Sequence, residues 1–90
     1  MVGVTACKEK IYVLGGSDVF PWRPLASVNM YDPRTDTWTR KRDMPTPRFG
    51  LRTCLLAGKI FAIGGSQSDN TSIATVEVYD PETDLWEKKR

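Results

Sequence analysis

Apolar residues gather in short runs, and no stretch shows the three-to-four-residue recurrence of an amphipathic helix. Residues 2–7 and 51–56 are mostly apolar and end at Lys8-Glu9 and Ala57-Gly58. Residues 11–14 and 60–63 are apolar at every position and are closed by Gly-Gly. Residues 26–31 alternate, with Val28 and Met30 against Ser27 and Asn29, and 74–79 form a similar segment. Residues 38–42 and 86–90 are polar apart from Trp38 and Trp86. Each set predicts four short strands. The last turn of each reads Asp-Pro-x-Thr-Asp: Pro33 and Pro81 are pre-set for its first position, and Asp36 and Asp84 tolerate a left-handed backbone. Short strands joined by tight turns predict an all-β meander. Its second strand is apolar on both faces (Ile11 and Val13; Tyr12 and Leu14) and its last is polar. That gradient suits radially arranged sheets, pressed by neighbours near an axis and wet at the rim.

The pattern occurs twice. "KIYVLGGS" at 10–17 returns as "KIFAIGGS" at 59–66, an offset of 49. "ASVNMYDPRTDTWTRKR" at 26–42 returns as "ATVEVYDPETDLWEKKR" at 74–90, an offset of 48. The copies therefore differ in length by one residue between these segments, where one reads "DVFPWRPL" and the other "QSDNTSI". Internal repetition at this period is the signature of a repeat architecture. It divides the chain into a first blade at 1–42, a linker at 43–49 and a second blade at 50–90.

The repeated residues resemble the Kelch motif: a glycine doublet after a short apolar strand, then a tyrosine, then a tryptophan. Here these are Gly15, Gly16, Tyr31 and Trp38, and Gly64, Gly65, Tyr79 and Trp86. "MPTPRFG" resembles the linker between Kelch blades. The resemblance covers nearly the whole chain and implies β-propeller blades, each a four-stranded antiparallel sheet. It gives the eight motif residues structural roles: glycines where a side chain would block neighbouring backbone, Tyr and Trp as large buried areas within each blade. Propellers have about four to eight blades, and Kelch propellers most often six. Two blades alone leave apolar faces bare. The expectation is a six-bladed ring, completed either by three copies of the chain or by a longer chain containing this one. A closed trimer would have an open seam where counterparts of residues 43–49 would lie.

Composition narrows the chemistry. Ninety residues make at most one small domain. A net charge of +2 argues against a dedicated nucleic-acid binder. The basic clusters at 39–43 and 87–90 lie on outer strands, where charge discourages stray sheet pairing. No apolar run approaches the roughly 18 residues that span a bilayer, so no membrane partner is expected. The first ten residues lack a charged segment followed by an apolar stretch, so a cytoplasmic location is expected if the chain is complete. With no histidine, a Ser-His-Asp triad, a Cys-His dyad and most zinc and copper sites are removed. No metal, no cofactor and no enzymatic activity are expected. Cys7 and Cys54 read as small apolar fillers.

In a meander the connections alternate ends. One end has only tight turns; the other has the long segments at 17–25, 66–73 and 43–50. Binding belongs to loops held by a rigid scaffold, so the second end is the expected site for a protein or peptide. Phe20, Trp22 and Arg23 are of types enriched at interaction hot spots. The alternative role of Phe20 and Trp22 is to cover a neighbouring blade. Arg48 either forks onto a partner carboxylate or bonds linker carbonyls. Arg52 either lines the axial channel or pairs with an adjoining blade. The expected function is a non-catalytic binding scaffold. The alternatives are a self-assembling structural unit without a ligand, or a fragment of a Kelch-type enzyme.

Overall fold

The computed structural model describes residues 2–17, 23–67 and 72–89. Eight strands form two four-stranded antiparallel sheets in sequential order. Blade 1 contains β1 (Gly3–Cys7), β2 (Lys10–Leu14), β3 (Val28–Asp32) and β4 (Thr37–Lys41). Blade 2 contains β5 (Arg52–Leu56), β6 (Lys59–Ile63), β7 (Val76–Asp80) and β8 (Leu85–Lys89). The two four-stranded meanders predicted from the sequence are present, with strand limits within two residues of the pattern.

The turns follow from local chemistry. Lys8 and Glu9 have φ of 51° and 65°, and Ala57 and Gly58 have 54° and 76°. Two consecutive positive φ values make a turn whose twist matches that of the flanking strands. At the other hairpins, Asp36 and Asp84 adopt φ of 56° and 58°. Their amides donate to the carbonyls of Asp32 and Asp80 at 2.8 Å. Each carboxylate then accepts the hydroxyl of the preceding tyrosine, Tyr31 to Asp36 and Tyr79 to Asp84, both at 2.6 Å. This hydrogen bond and the Arg42 amide hold the Asp84 carboxyl below its usual range.

Register decides what each face shows. In blade 2, Leu55, Ile60, Tyr79 and Trp86 form one row across the sheet, and Thr53, Ala62, Glu77 and Lys88 the next. The corresponding rows of blade 1 are Ala6, Ile11, Tyr31, Trp38 and Val4, Val13, Asn29, Arg40. We call this the Tyr–Trp face. The opposite face of blade 1 carries Tyr12, Leu14, Val28 and Met30.

The core lies between the blades. Leu14, Val28 and Tyr12 from the opposite face of blade 1 share one cluster with Ile60, Ala62 and Tyr79 from the Tyr–Trp face of blade 2. The rings of Tyr12 and Tyr79 stand 6.0 Å apart. Inner strands β1 and β5 meet closely, and the Thr53 hydroxyl donates to the Val4 carbonyl at 2.9 Å. Tyr79 is fully buried and Trp86 half-buried, whereas Trp38 is 61% exposed and Tyr31 half-buried. The expectation that each Tyr and Trp is buried within its own blade is corrected here. These side chains stand on a sheet face, and a neighbouring blade must cover them.

The glycine doublets make room for the linker. A Cβ at Gly15, where φ is +68°, would stand 2.5 Å from the Arg48 carbonyl oxygen; one at Gly65, with φ +100°, would stand 2.9 Å from that of Phe49. Gly58 shares the positive φ but has nothing within 4 Å. Gly58→Ala is therefore expected to cost only the left-handed penalty of about 1–2 kcal/mol. Gly15→Ala should add a clash with backbone and cost at least about 1–3 kcal/mol more. Urea midpoints measure the difference, and equal losses would contradict the assigned role of Gly15.

Candidate functional site: the loop edge and the blade junction

All long connections leave the sheets at one edge, and the described ones are stitched together. The Gly16 amide donates to the Arg48 carbonyl at 3.0 Å, and the Arg48 amide to the Leu25 carbonyl at 3.1 Å. Phe49 and Ser66 exchange amide-to-carbonyl bonds of 3.1 and 2.9 Å. The Met44 amide donates to the Ala26 carbonyl, and the Met44 side chain is buried. The linker backbone thus belongs to the β2–β3 loop of blade 1 before it reaches the loop of blade 2.

The Arg48 side chain crosses the junction. It is fully buried, as is Glu77 at the middle of the run Val76, Glu77, Val78. Its Nη2 donates to Glu77 Oε1 at 2.6 Å, and its Nη1 donates to the carbonyls of Gly64 at 2.9 Å and Thr75 at 3.0 Å. The Thr46 hydroxyl donates to the other carboxylate oxygen, Glu77 Oε2, at 2.6 Å. Taking both charges out of water is costly, and only the pairing and these further hydrogen bonds offset it. Lysine could not replace this planar fork, which meets three acceptors at once.

A second clasp lies at the rim. The Arg42 amide donates to Asp84 Oδ1 at 3.0 Å, and Arg42 Nε to the Asp84 carbonyl at 3.1 Å. The indole N–H of Trp86 donates to the Arg42 carbonyl at 3.0 Å. Lys8 and Glu82 form an exposed ion pair across the turn-bearing ends, at 3.0 Å. A cavity of about 350 Å³ opens near that same end of blade 2, with Lys59, Asp80, Leu85 and Glu87 in its lining.

The residues expected at a binding surface are not all gathered there. Phe20 and Trp22 lie outside the described residues. Arg23 is exposed on the β2–β3 loop. Arg48, considered for a partner carboxylate, is instead committed to Glu77 and two carbonyls inside the protein. The reason is the buried carboxylate of blade 2, which would otherwise be uncompensated. Arg52 is exposed at the first position of β5. Cys7 is buried, Cys54 exposed, and both are free thiols. Among the described residues no group of His, Cys, Asp and Glu could hold a metal ion, and no helix is long and apolar enough to cross a membrane. Glu77, Thr46, Arg42 and Asp84 were not singled out by the sequence reading as junction residues. The one available signal was an acidic residue flanked by two valines, at the repeat position that holds Asn29 in the other copy.

Comparison with known proteins identifies the repeat. A family model of the Kelch motif matches twice, over residues 1–45 and 47–89. Kelch-like protein 7 of Rattus norvegicus is 38% identical over 63 residues, covering 70% of this chain and 10% of that protein. Beta-scruin of Limulus polyphemus is 40% identical over 63 residues, covering 70% of this chain and 7% of that protein. The chain thus spans no more than a tenth of these two relatives' lengths. Among solved structures, that of YjhT superposes with a TM-score of 0.86 at 17% identity, over 97% of this chain and 36% of that one. At that identity the likeness speaks for the fold.

The junction makes a quantitative prediction. Arg48→Met is expected to cost about 3–5 kcal/mol, because it strands a buried carboxylate. Arg48→Lys should recover little of this, and adding Glu77→Leu to Arg48→Met should recover part. Equilibrium urea unfolding measures all three. An Arg48→Lys variant within about 1 kcal/mol of the parent would show that the fork is dispensable.

Proposed function

The chain belongs to the Kelch-repeat family, and on that premise we propose that it is a non-catalytic scaffold that binds a protein or peptide at its loop edge. The single observation that carries this reading is the asymmetry of the two ends. One end has only two- and four-residue turns, while the other carries both β2–β3-type loops and the linker, stitched together by backbone bonds. Recognition residues sit best on variable loops held by such a frame. The loops also differ most between the two copies, while the frame residues repeat.

Phe20, Trp22 and Arg23 are the proposed contact residues. Proline has a restricted φ, so the two prolines in this stretch of sequence reduce the chain entropy that binding would have to remove. Arg48 acts beneath this surface by fixing the frame. Self-association belongs to the same proposal. Each blade has an uncovered apolar face, and three copies would bring the blade number to six, within the range of closed propellers.

Selection from a displayed random-peptide library tests the loop assignment. Trp22→Ala and Arg23→Ala should each weaken the selected peptide by roughly tenfold or more, the loss typical of a hot-spot residue. Undiminished binding by both variants would remove this loop from the site.

A further inference from the structure

The two faces left open by the chain are counterparts of the two that meet inside it. Trp38 and Tyr31 correspond to Trp86 and Tyr79, 48 residues on, and Tyr12 and Leu14 to Phe61 and Ile63, 49 residues on. Inside the chain, Tyr79 and Trp86 are covered by the face carrying Tyr12 and Leu14. On the outside, Val4 and Trp38 are exposed on blade 1, and Leu56, Ile63 and Leu85 on blade 2. We propose that the open Tyr–Trp face of blade 1 binds the open Phe61–Ile63 face of a second copy of this chain, head to tail, with Arg52 limiting how tightly they join. The inference rests on the propeller-blade reading and gives its self-association a direction and a controlling residue.

Three features of the chain point to a second copy. The first is the internal junction, which shows that these two kinds of face pack together. The second is Asn29, which occupies the row position of Glu77. The covered face carries a buried carboxylate that a linker arginine must neutralise. The open face is neutral at that place, so it needs no linker arginine and suits a partner that arrives without a covalent connection. The third is the rim. Trp38 and Asp36 repeat the groups that Trp86 and Asp84 offer to Arg42, and the sequence counterpart of Arg42 is Arg90.

Arg52 is where the copies differ against close packing. Its counterpart is Gly3, and a Cβ at Gly3 would stand 2.7 Å from Thr53 Cγ2 and 3.0 Å from Leu51 Cγ. The internal junction therefore depends on a missing side chain on its inner strand. At the open junction an arginine stands there, opposite Val4 and Val2, the counterparts of Thr53 and Leu51. The inner strands of two copies must stand farther apart than β1 and β5 do. Truncating Arg52 should let them close.

Light scattering and sedimentation of the 90-residue chain over a concentration series test this. Arg52→Gly should strengthen association by about tenfold or more, on the scale expected for relieving one overpacked contact. The gain counts only as a discrete, reversible species that dissociates on dilution and keeps the parent's circular dichroism spectrum, since misfolded chains also associate. Trp38→Glu and Phe61→Glu should each abolish self-association alone, and a mixture of the two should form one-to-one heterodimers through the intact face of each. Unchanged or weaker association of Arg52→Gly would overturn the role of Arg52. Dimers of Phe61→Glu alone would overturn the head-to-tail arrangement in favour of like faces meeting. A parent and Arg52→Gly that both stay single chains, yet keep a β-sheet circular dichroism spectrum, would sink this inference and leave the blade reading standing. A parent without that spectrum would sink the blade reading itself.

Discussion

The contact between Arg48 and Glu77 ties the rest of the structure together. A four-stranded meander is a thin sheet with two apolar faces, and it gains stability only when a neighbour covers one of them. Side-chain packing between the blades supplies that gain but is non-directional. The buried ion pair adds direction. A guanidinium anchored by its backbone to the loop of blade 1 must reach one carboxylate and two carbonyls of blade 2. Sliding or rotating the blades would leave charges buried without partners, which is far costlier than a small loss of apolar contact.

Other features follow from this arrangement. The linker must lie against the ends of both central strands, so Gly15 and Gly65 stand where any side chain would strike its carbonyls. Strand β1 must approach β5, so Gly3 has no side chain to keep them apart. At the rim, the Asp84 turn is presented by Tyr79 and held by Arg42. Between β1 and β5 contact is close, with one hydrogen bond from Thr53 to Val4; at the rim it is polar and hydrogen-bonded through Arg42, Asp84 and Trp86. The same linker stitches the described parts of the loop edge together, through Gly16, Leu25, Phe49 and Ser66.

Most of the fold was legible in the sequence because strand alternation, turn chemistry and repetition are local properties. The Asp-Pro-x-Thr-Asp turns and the glycine doublets announced their backbone conformations, and the repeat gave equivalence between blades. The junction was less legible. Arg48 could be read toward a partner or toward the linker, because nothing local shows that Glu77, 29 residues on, lies beneath it. Trp38 and Trp86 have the same sequence surroundings yet differ in exposure, since burial here depends on which face a neighbouring blade covers. Arg52 shows the reverse case: the role proposed for it rests on the space around Gly3 in the other copy, which the sequence does not display.

If the Arg48–Glu77 contact makes the two blades one cooperative unit, native-state hydrogen exchange will show it. The slowest amides of β2 and β6 should then exchange with opening free energies equal to within about 1 kcal/mol, both matching global unfolding. Blade 1 amides opening several kcal/mol more easily than those of blade 2, or the reverse, would contradict the account.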